Sequence, residues 1–451
     1  MDQSEILGES ATRYPLSSRQ ADPSGLSRRP KAIVPVALRV KGELRVDSLR
    51  GALGDVVERQ ESLRTRLHYS ETDGNVGFQE ILPPLPVPLT VRDIAVTPGR
   101  SREEMAIDLV AELNDATIPF DSMPSLRAFL HRFDDHDAVL ILVSHHLFSD
   151  GWSASILRRE IATCYKSRVT GIPNTLPTPL PYREFASWEQ EFLQSEKGAA
   201  ARRFWQGKLA GAEMFTMPVD RLPGPDTLMQ GAAVGNFSID PGSFARVVAS
   251  AAQNRCSVWH VLLAAFMVLA EKVAGRSDIT LLAANTGRPA REFYDTIGFF
   301  VNFVPLRLEF GNCDSFRDLV LLARKASADA LQHQLPFAMV LELVPDLMNG
   351  AADPRAQGPI FNYQNYSPRA KGDTRFATSV EPVVLPEDLP TNLVSGGMVW
   401  TFKVVPSGEF RCAIEYEPGA IDTSTIDRWG SDFIGLVLAI ADRPDQAWKK
   451  L

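Results

Sequence analysis

The chain has 451 residues, of which 45% are hydrophobic and 23% are charged. This size and composition fit a folded protein with two domains and exclude a disordered one. The formal net charge of −8 is spread without long runs of like charge, and no apolar run reaches membrane-spanning length. These features argue against a nucleic-acid-binding surface, and with the absence of a signal-peptide pattern they predict a cytoplasmic protein without a membrane segment.

The N-terminal part of the chain predicts a strand followed by a helix. Residues 33–46 alternate between apolar and polar side chains, which is typical of a strand. A helix is predicted to begin at Val46. Its apolar stripe consists of Leu49, Leu53, Val56 and Val57.

The most informative segment, residues 144–153, follows a predicted buried strand. Residues 138–143 are apolar and rich in β-branched side chains, and they are too few for a helix. His145 and His146 come at the exit of this strand, where a rigid scaffold commonly presents functional groups. An imidazole can take or give a proton near neutral pH, or donate a hydrogen bond to an oxyanion. The alternative is that the two histidines serve packing alone.

Asp150 and Gly151 favour a functional site over simple packing. An aspartate four residues after His146, followed by a glycine, combines a proton carrier, a fixed charge and open space. We predict that Ser153 caps the helix that follows. The apolar positions of this helix are Leu157, Ile161, Cys164 and Tyr165.

The second half of the chain begins after a proline-rich linker. Residues 170–181 contain four prolines and a glycine, a composition that resists regular structure. We therefore expect an N-terminal subdomain of residues 1–175 and a C-terminal subdomain of residues 182–451. A helix is predicted from Tyr182, and residues 257–274 predict a long apolar helix.

A second informative run covers residues 297–307. It predicts a buried strand in which Gly298 forms a bend. Asn302 lies within this run and is a candidate for lining a substrate cavity.

These segments resemble the condensation domains of nonribosomal peptide synthetases, which belong to the chloramphenicol-acetyltransferase-like superfamily. Residues 145–151 are similar to the family's His-His-x-x-x-Asp-Gly motif, which also resembles that of wax-ester synthases. Residues 297–307 are similar to its Gly-x-Phe-x-Asn-x-x-Pro-Leu-Arg run, where wax-ester synthases carry a different motif. Further similar stretches are residues 14–20, 59–67, 333–337, 359–363, 410–416 and 423–440.

The resemblance implies an α/β (α+β) fold of two chloramphenicol-acetyltransferase-like subdomains in a V-shaped arrangement with a central tunnel. An acyl thioester on the phosphopantetheine arm of a carrier protein would meet its acceptor there. His146 is implied to be the catalytic residue, which deprotonates or orients the acceptor or stabilises the tetrahedral oxyanion. His145 would support it, and Gly151 would leave room for the substrate.

The resemblance also implies a structural ion pair between Asp150 and Arg288 that holds the histidine loop. Removing one partner of a buried pair typically costs about 3–5 kcal/mol. Trp152, Ser153 and Asn302 are expected to line the substrate tunnel.

No metal or cofactor is expected to be bound by the chain itself. Its four cysteines lie far apart and show no CxxC or Cys/His ligand spacing, which predicts reduced thiols. The expected partners are an acyl-loaded carrier protein as donor and a small-molecule or carrier-bound amine or alcohol as acceptor. We expect no nucleic acid, no membrane and a monomer.

Three functions stay open at this point. The first is carrier-dependent amide formation, the second is ester formation with a hydroxyl acceptor or a coenzyme A donor, and the third is non-catalytic recruitment of other enzymes. The presence of both motif histidines argues against the third function. The sequence carries no adenylation signature and no carrier site, so the chain is a freestanding enzyme or an excised domain, and the start at Met1 favours the former.

Overall fold

The computed structural model describes residues 13–21, 32–42, 44–70, 77–112, 117–222, 232–351, 357–364, 379–382 and 397–450. The strands are β1 (Arg13–Pro15), β2 (Ile33–Lys41), β3 (Thr65–Tyr69), β4 (Gly77–Ile81), β5 (Leu89–Asp93), β6 (Leu126–Asp134), β7 (Asp137–His145), β8 (Ala233–Ile239), β9 (Asp278–Asn285), β10 (Asn302–Glu309), β11 (Pro359–Gln364), β12 (Ser379–Pro382), β13 (Met398–Val404) and β14 (Phe410–Tyr416).

The α-helices are α1 (Val46–Arg59), α2 (Arg102–Ala111), α3 (Gly151–Thr170), α4 (Tyr182–Gln194), α5 (Glu196–Lys208), α6 (Pro241–Gln253), α7 (Val258–Ala274), α8 (Phe316–Gln332), α9 (Phe337–Leu343) and α10 (Thr423–Asp442). Short 3₁₀ helices cover Glu61–Arg64, His146–Phe148, Arg291–Phe293, Pro345–Ala351 and Trp448–Lys450.

The chain divides into two compact units, and the first consists of Met1–Gln194, Thr286–Val301 and Tyr366–Leu385. It contains a five-stranded sheet in the order β12-β2-β7-β6-β5 and a three-stranded sheet in the order β1-β4-β3. Strand β7 is covered on both faces: Leu140 and Leu142 pack with α1 and α3, whereas Val139 and Ile141 pack with α2. This double coverage explains the continuous apolar run, as predicted for a buried strand.

The second compact unit consists of Ser195–Asn285, Asn302–Asn365 and Pro386–Leu451. Its six-stranded sheet has the order β10-β9-β11-β13-β14-β8. Helix α7 is buried from Val261 to Ala270, because it packs against the sheet and the neighbouring helices α8 and α10. The predicted long apolar helix is therefore confirmed as a core element.

The predicted elements of the N-terminal part are confirmed, but two boundaries differ. The strand predicted over residues 33–46 ends at Lys41, because Gly42 turns the chain with a φ of 105° before α1 begins. Helix α3 is capped by Asp150 rather than by Ser153, since the Asp150 side chain accepts the backbone N–H of Ser153. An acceptor three residues before that N–H fits the geometry of a helix cap.

The compact units are not continuous in sequence, in contrast to the simple division into residues 1–175 and 182–451. Residues 171–181 form no helix or strand, as expected for a linker. Helix α4 and residues 286–301, however, belong to the first unit. The reason lies in polar contacts: Tyr182 hydrogen-bonds Ser17, and Glu189 accepts hydrogen bonds from Ser18.

The strand predicted over residues 297–307 was wrong in its first part, since β10 begins at Asn302. The backbone N–H groups of Ile297, Gly298 and Phe300 donate to side chains instead of a neighbouring strand. Residues 295–301 are called the laced segment below, because side chains from other parts of the first unit form hydrogen bonds with its backbone at successive residues.

Among the residues that the structure describes, no single helix is both long enough and apolar enough to cross a membrane; α6 and α7 meet that test only as a pair bent by 100°.

Candidate active site

The site forms where β7 ends and a single 3₁₀ turn leads into α3. His145 is the last residue of β7 and is fully buried. Its Nδ1 accepts a hydrogen bond from the backbone N–H of Leu147 at 3.2 Å, and its ring meets Phe148 edge-on. A Nδ1 that accepts a hydrogen bond places the proton of a neutral ring on Nε2. His145 thus shapes the turn that presents the next residue.

His146 is half-buried and stands at the start of that turn. Its backbone N–H donates to Ala32 O at 2.7 Å, which fixes the main chain. Its ring makes an edge contact with Phe299, with centroids 4.8 Å apart and planes at 73°. Within the described chain, the buried Nδ1 of His146 has no hydrogen-bond partner.

The pKa of His146 is lowered from its ordinary value. Burial is the main cause, because a charged imidazolium loses hydration when it is buried. The negative charge of Asp150 acts in the opposite direction. The balance favours a neutral imidazole, the form that can accept a proton.

Asp150 is a buried carboxylate whose two oxygens are both engaged. Its Oδ1 accepts from the backbone N–H of Ser153 at 2.8 Å, and it lies 2.7 Å from Ser153 Oγ and 3.2 Å from Arg288 Nη2. Its Oδ2 accepts the backbone N–H of Phe300 at 3.0 Å. The carboxylate therefore joins the start of α3 to the laced segment.

Arg288 is buried beside this carboxylate, and the predicted ion pair between Asp150 and Arg288 is present. The second guanidinium nitrogen, Nη1, donates to the carbonyls of Phe293 and Thr296 at 3.0 Å each. The guanidinium carbon lies 3.9 Å from the centre of the Phe300 ring. Burial lowers the pKa of Arg288 and the charge of Asp150 opposes this. The contacts with the Phe300 ring and the Asp150 carboxylate reduce the free-energy cost of burying this cation.

Gly151, which is predicted to leave room for the substrate, is exposed at the first position of α3. The next two residues, Trp152 and Ser153, are predicted to line a substrate tunnel and lie in different surroundings. Trp152 is half-buried and its Nε1 donates to Tyr294 O at 3.0 Å. Ser153 is fully buried, and its Oγ accepts the backbone N–H of Gly298 at 3.1 Å. Ser153 thus anchors the laced segment, whereas the tunnel-lining role of these residues stays a prediction.

Asn302 belongs to the second compact unit, at the first position of β10. Its Nδ2 donates to Leu335 O at 2.8 Å, and its Oδ1 accepts the backbone N–H of Phe337 at 3.1 Å. Both ends of the amide therefore bind backbone. Its role as a cavity residue also stays a prediction.

Sequence reasoning missed two groups that organise the site. Gln60 is buried, and its Nε2 donates to Glu160 Oε1 at 3.0 Å and to Asp295 O at 2.9 Å, while its Oε1 accepts the N–H of Ile297 at 2.9 Å. Phe299 touches His146. Gln60 stands among the polar residues Arg59, Glu61 and Ser62, so its neighbours in sequence gave no sign that it is buried. Phe299 carried no signal of its role either.

The N-terminal stretch and α4 complete the binding of the laced segment. Tyr182 Oη donates to Phe299 O at 2.7 Å, and Arg19 Nε donates to Phe300 O at 2.9 Å. Arg19 is in turn paired with Glu189. Because these contacts fix the backbone of the segment, they also fix the ring that touches His146.

Across the described ranges, no group of three or more His, Cys, Asp or Glu side chains is placed to hold a metal ion.

Comparisons with known proteins match almost the whole chain, including the site. A family model described as Condensation domain matches residues 12–451. Two linear gramicidin synthase subunits of Brevibacillus parabrevis are similar: one is 30% identical over 93% of this chain, and the other is 28% identical over 92%. These matches cover 5% and 8% of the two relatives, so the chain spans a small part of their length.

Two solved structures extend the comparison. The SgcC5 protein from Streptomyces globisporus, crystallised with (R)-(-)-1-(2-naphthyl)-1,2-ethanediol and sucrose, is 31% identical with a TM-score of 0.80, and the match covers 93% of this chain and 94% of that one. The first condensation domain of the calcium-dependent antibiotic synthetase, in complex with a substrate analogue, has a TM-score of 0.76 at 17% identity, with 98% and 99% of the two chains covered. At this identity the second match shows the fold alone. Together the two matches confirm the predicted α/β fold of the chloramphenicol-acetyltransferase-like type.

Proposed function

The chain belongs to the condensation domain family of nonribosomal peptide synthetases, and from this membership we propose that it transfers an acyl or aminoacyl group from a carrier-protein thioester to an amine. Condensation domains are acyltransferases that act on carrier-bound substrates, so the chain is an enzyme of the amide- or ester-forming type. The observation that carries the proposal is the half-buried imidazole of His146, which stands at a strand exit with its pKa lowered.

The proposed reaction is a direct transfer without an acyl-enzyme. The acceptor nitrogen attacks the thioester carbonyl, a C–N bond forms, and the C–S bond to phosphopantetheine breaks. The proton leaves the nitrogen and reaches the departing thiolate, and His146 is the residue that takes or relays it. If positioning dominates instead, the same imidazole orients the acceptor and stabilises the tetrahedral oxyanion.

The neighbours of His146 receive supporting roles. Asp150 and Arg288 hold the turn through their buried ion pair, and His145 shapes it through its hydrogen bond to Leu147. We propose that exposed Gly151 leaves room for the substrate. The V-shaped arrangement, the tunnel and its lining by Trp152, Ser153 and Asn302 stay predictions.

A hydroxyl acceptor is the second candidate. It is favoured by the SgcC5 structure, which holds a 1,2-ethanediol derivative and is 31% identical to this chain. With an alcohol the nucleophile is less basic, so removal of its proton by His146 becomes more important than with an amine. A coenzyme A donor in place of the carrier thioester belongs to the same alternative.

The identity of the partners and the cellular location complete the proposal. We propose an acyl-loaded carrier protein as donor, a small-molecule or carrier-bound acceptor, a monomeric state and a cytoplasmic location. No cofactor is proposed for the chain itself, since the phosphopantetheine arm belongs to the substrate.

The test is an acceptor competition followed by intact-protein mass spectrometry. Carriers loaded with a panel of acyl and aminoacyl groups are incubated with the protein and with an amine and an alcohol of the same carbon skeleton. Enzyme-dependent unloading of the carrier with formation of the amide supports the proposal, and preferential formation of the ester supports the second candidate. Unloading that is independent of the protein for every donor and acceptor contradicts both.

A further inference from the structure

We propose that Phe299 is a positioning residue of the site, whose ring holds the His146 imidazole in its orientation and shields it from water. The proposal rests on the proposed function, because it assigns a role in the reaction through His146. The motif of residues 297–307 does not specify the residue at position 299, which lies between its glycine and its phenylalanine. The role proposed for Phe299 therefore does not follow from the motif.

The contact between the two rings carries the inference. The centroids of His146 and Phe299 lie 4.8 Å apart at an interplanar angle of 73°, which is the edge-to-face arrangement that aromatic pairs favour. Phe299 is itself half-buried and packs against the cluster that contains Leu147 and Phe148. The buried Nδ1 of His146 has no hydrogen-bond partner in the described chain, so the contact with the Phe299 ring contributes to the orientation of the imidazole.

The backbone of Phe299 is held at three successive residues. Gly298 donates its N–H to Ser153 Oγ at 3.1 Å, Phe299 O accepts from Tyr182 Oη at 2.7 Å, and Phe300 donates its N–H to Asp150 Oδ2 at 3.0 Å. A side chain at Gly298 would place its Cβ 2.1 Å from the Tyr182 ring, so the path of the chain is also sterically fixed. The same network that holds Asp150 therefore sets the position of the Phe299 ring.

The shielding of His146 from water can be measured through its pKa, because burial and one nearby charge act on that pKa. The charged group that acts on the His146 pKa is Asp150, at the start of α3, and Asp150 is itself paired with Arg288. Residues 296–301 of the laced segment carry no ionisable side chain, and His145 lies directly before His146. Burial lowers the pKa of His146 against the effect of Asp150. Removing the Phe299 ring admits water, so the pKa of His146 is expected to rise towards the ordinary value of about 6.5.

The test compares Phe299→Leu with a matched control, Phe120→Leu. Phe120 packs against the same cluster, but its ring contacts Tyr69. The His146 imidazole is titrated by NMR in each protein, with the signal assigned from its loss in His146→Gln, and the dependence of kcat/KM on pH is measured alongside. Phe299→Tyr keeps a ring at the contact and serves as the rescue variant.

We expect Phe299→Leu to raise the NMR midpoint of His146 and to move the acidic limb of the activity profile to higher pH. We expect kcat/KM at neutral pH to fall by about two- to tenfold, the range that corresponds to loss of an aromatic pair. Phe299→Tyr should restore both values, and Phe120→Leu should leave them unchanged.

An unaltered midpoint and profile in Phe299→Leu would overturn the proposal, as would equal shifts in Phe120→Leu. The NMR titration needs no substrate. If the wild-type protein transfers no acyl group, the proposed function fails, while the titration still decides whether Phe299 controls the His146 environment.

Discussion

The buried ion pair between Asp150 and Arg288 shows at the level of single residues how this site is held. A buried carboxylate is costly in free energy unless its charge and its hydrogen-bonding capacity are satisfied. Here both carboxylate oxygens accept hydrogen bonds, and the cation also contacts an aromatic ring. The pair therefore fixes the start of α3 next to His146, and these contacts offset the desolvation penalty of burying two charges.

Replacing Asp150 with Ala should lower the free energy of unfolding by about 3–5 kcal/mol, because Arg288 is left buried without its counter-charge. Urea unfolding followed by circular dichroism measures this change. Glu196→Ala is the matched control, since Glu196 and Arg203 form an exposed pair, and removing it should cost less than about 1 kcal/mol. Equal unfolding free energies for wild type and Asp150→Ala would contradict the role of the pair.

The residues of the site differ in how far the sequence predicted them. His145, His146 and Asp150 were predicted because they follow a recognisable buried strand within a few positions. Gln60 and Phe299 were missed, since the contacts that give them a role form only on folding: Gln60 meets Ile297 across 237 positions of sequence. The sequence shows that Gln60 is polar, but it shows neither its burial nor its hydrogen-bond partners.

The laced segment, residues 295–301, is the element that joins these residues into one site. Its backbone is bound by side chains of Gln60, Ser153, Tyr182 and Asp150. The apolar run predicted a strand from Ile297 onwards. In the structure, however, the backbone N–H groups of Ile297, Gly298 and Phe300 donate to side chains and not to a neighbouring strand. A hydrophobic pattern indicates burial but does not identify the hydrogen-bond partner. For this reason the start of β10 was predicted incorrectly, whereas the presence of β7, α3 and α7 was predicted correctly.

Gln60→Ala should destabilise the protein by about 1–3 kcal/mol, because it removes the partners of Asp295 O, Ile297 N–H and Glu160 in a buried place. Transfer activity should fall in proportion to the loss of order in the laced segment. Hydrogen exchange of the amides of residues 295–301 measures that order.

Gln194→Ala is the control for this substitution, as Gln194 ends α4 on the exposed surface. It should leave amide exchange, stability and activity unchanged. Amide protection in Gln60→Ala that equals that of the wild type would contradict the assignment of Gln60 to this element.

At the scale of the whole molecule, the first compact unit is assembled from separated pieces of the chain. Proline content correctly predicted an irregular stretch at 171–181, but proximity in sequence suggested that everything after it forms a second subdomain. Helix α4 and residues 286–301 belong to the first unit because buried polar groups near the N-terminus and at the start of α3 bind them. Composition identifies a linker. Whether a segment after the linker packs with the first unit depends on tertiary contacts, which composition does not reveal.

A fragment of residues 1–181 should therefore fail to fold cooperatively. It lacks Arg288, the N–H of Phe300 and Tyr182, which are partners of buried groups in the first unit. Thermal unfolding followed by circular dichroism, with the full chain as the reference, measures this. A sharp two-state transition in the fragment would contradict the account of how the unit is held together.

We propose that the imidazole of His146 carries out the proton chemistry of acyl transfer. The most direct measurement is single-turnover transfer from an acyl-loaded carrier, followed by mass spectrometry, for wild type and His146→Ala, with thermal unfolding to verify that both are folded. We predict a rate reduced by about 10²–10⁴-fold in His146→Ala, the usual contribution of a general acid–base residue. Transfer by folded His146→Ala at the wild-type rate would contradict the claim.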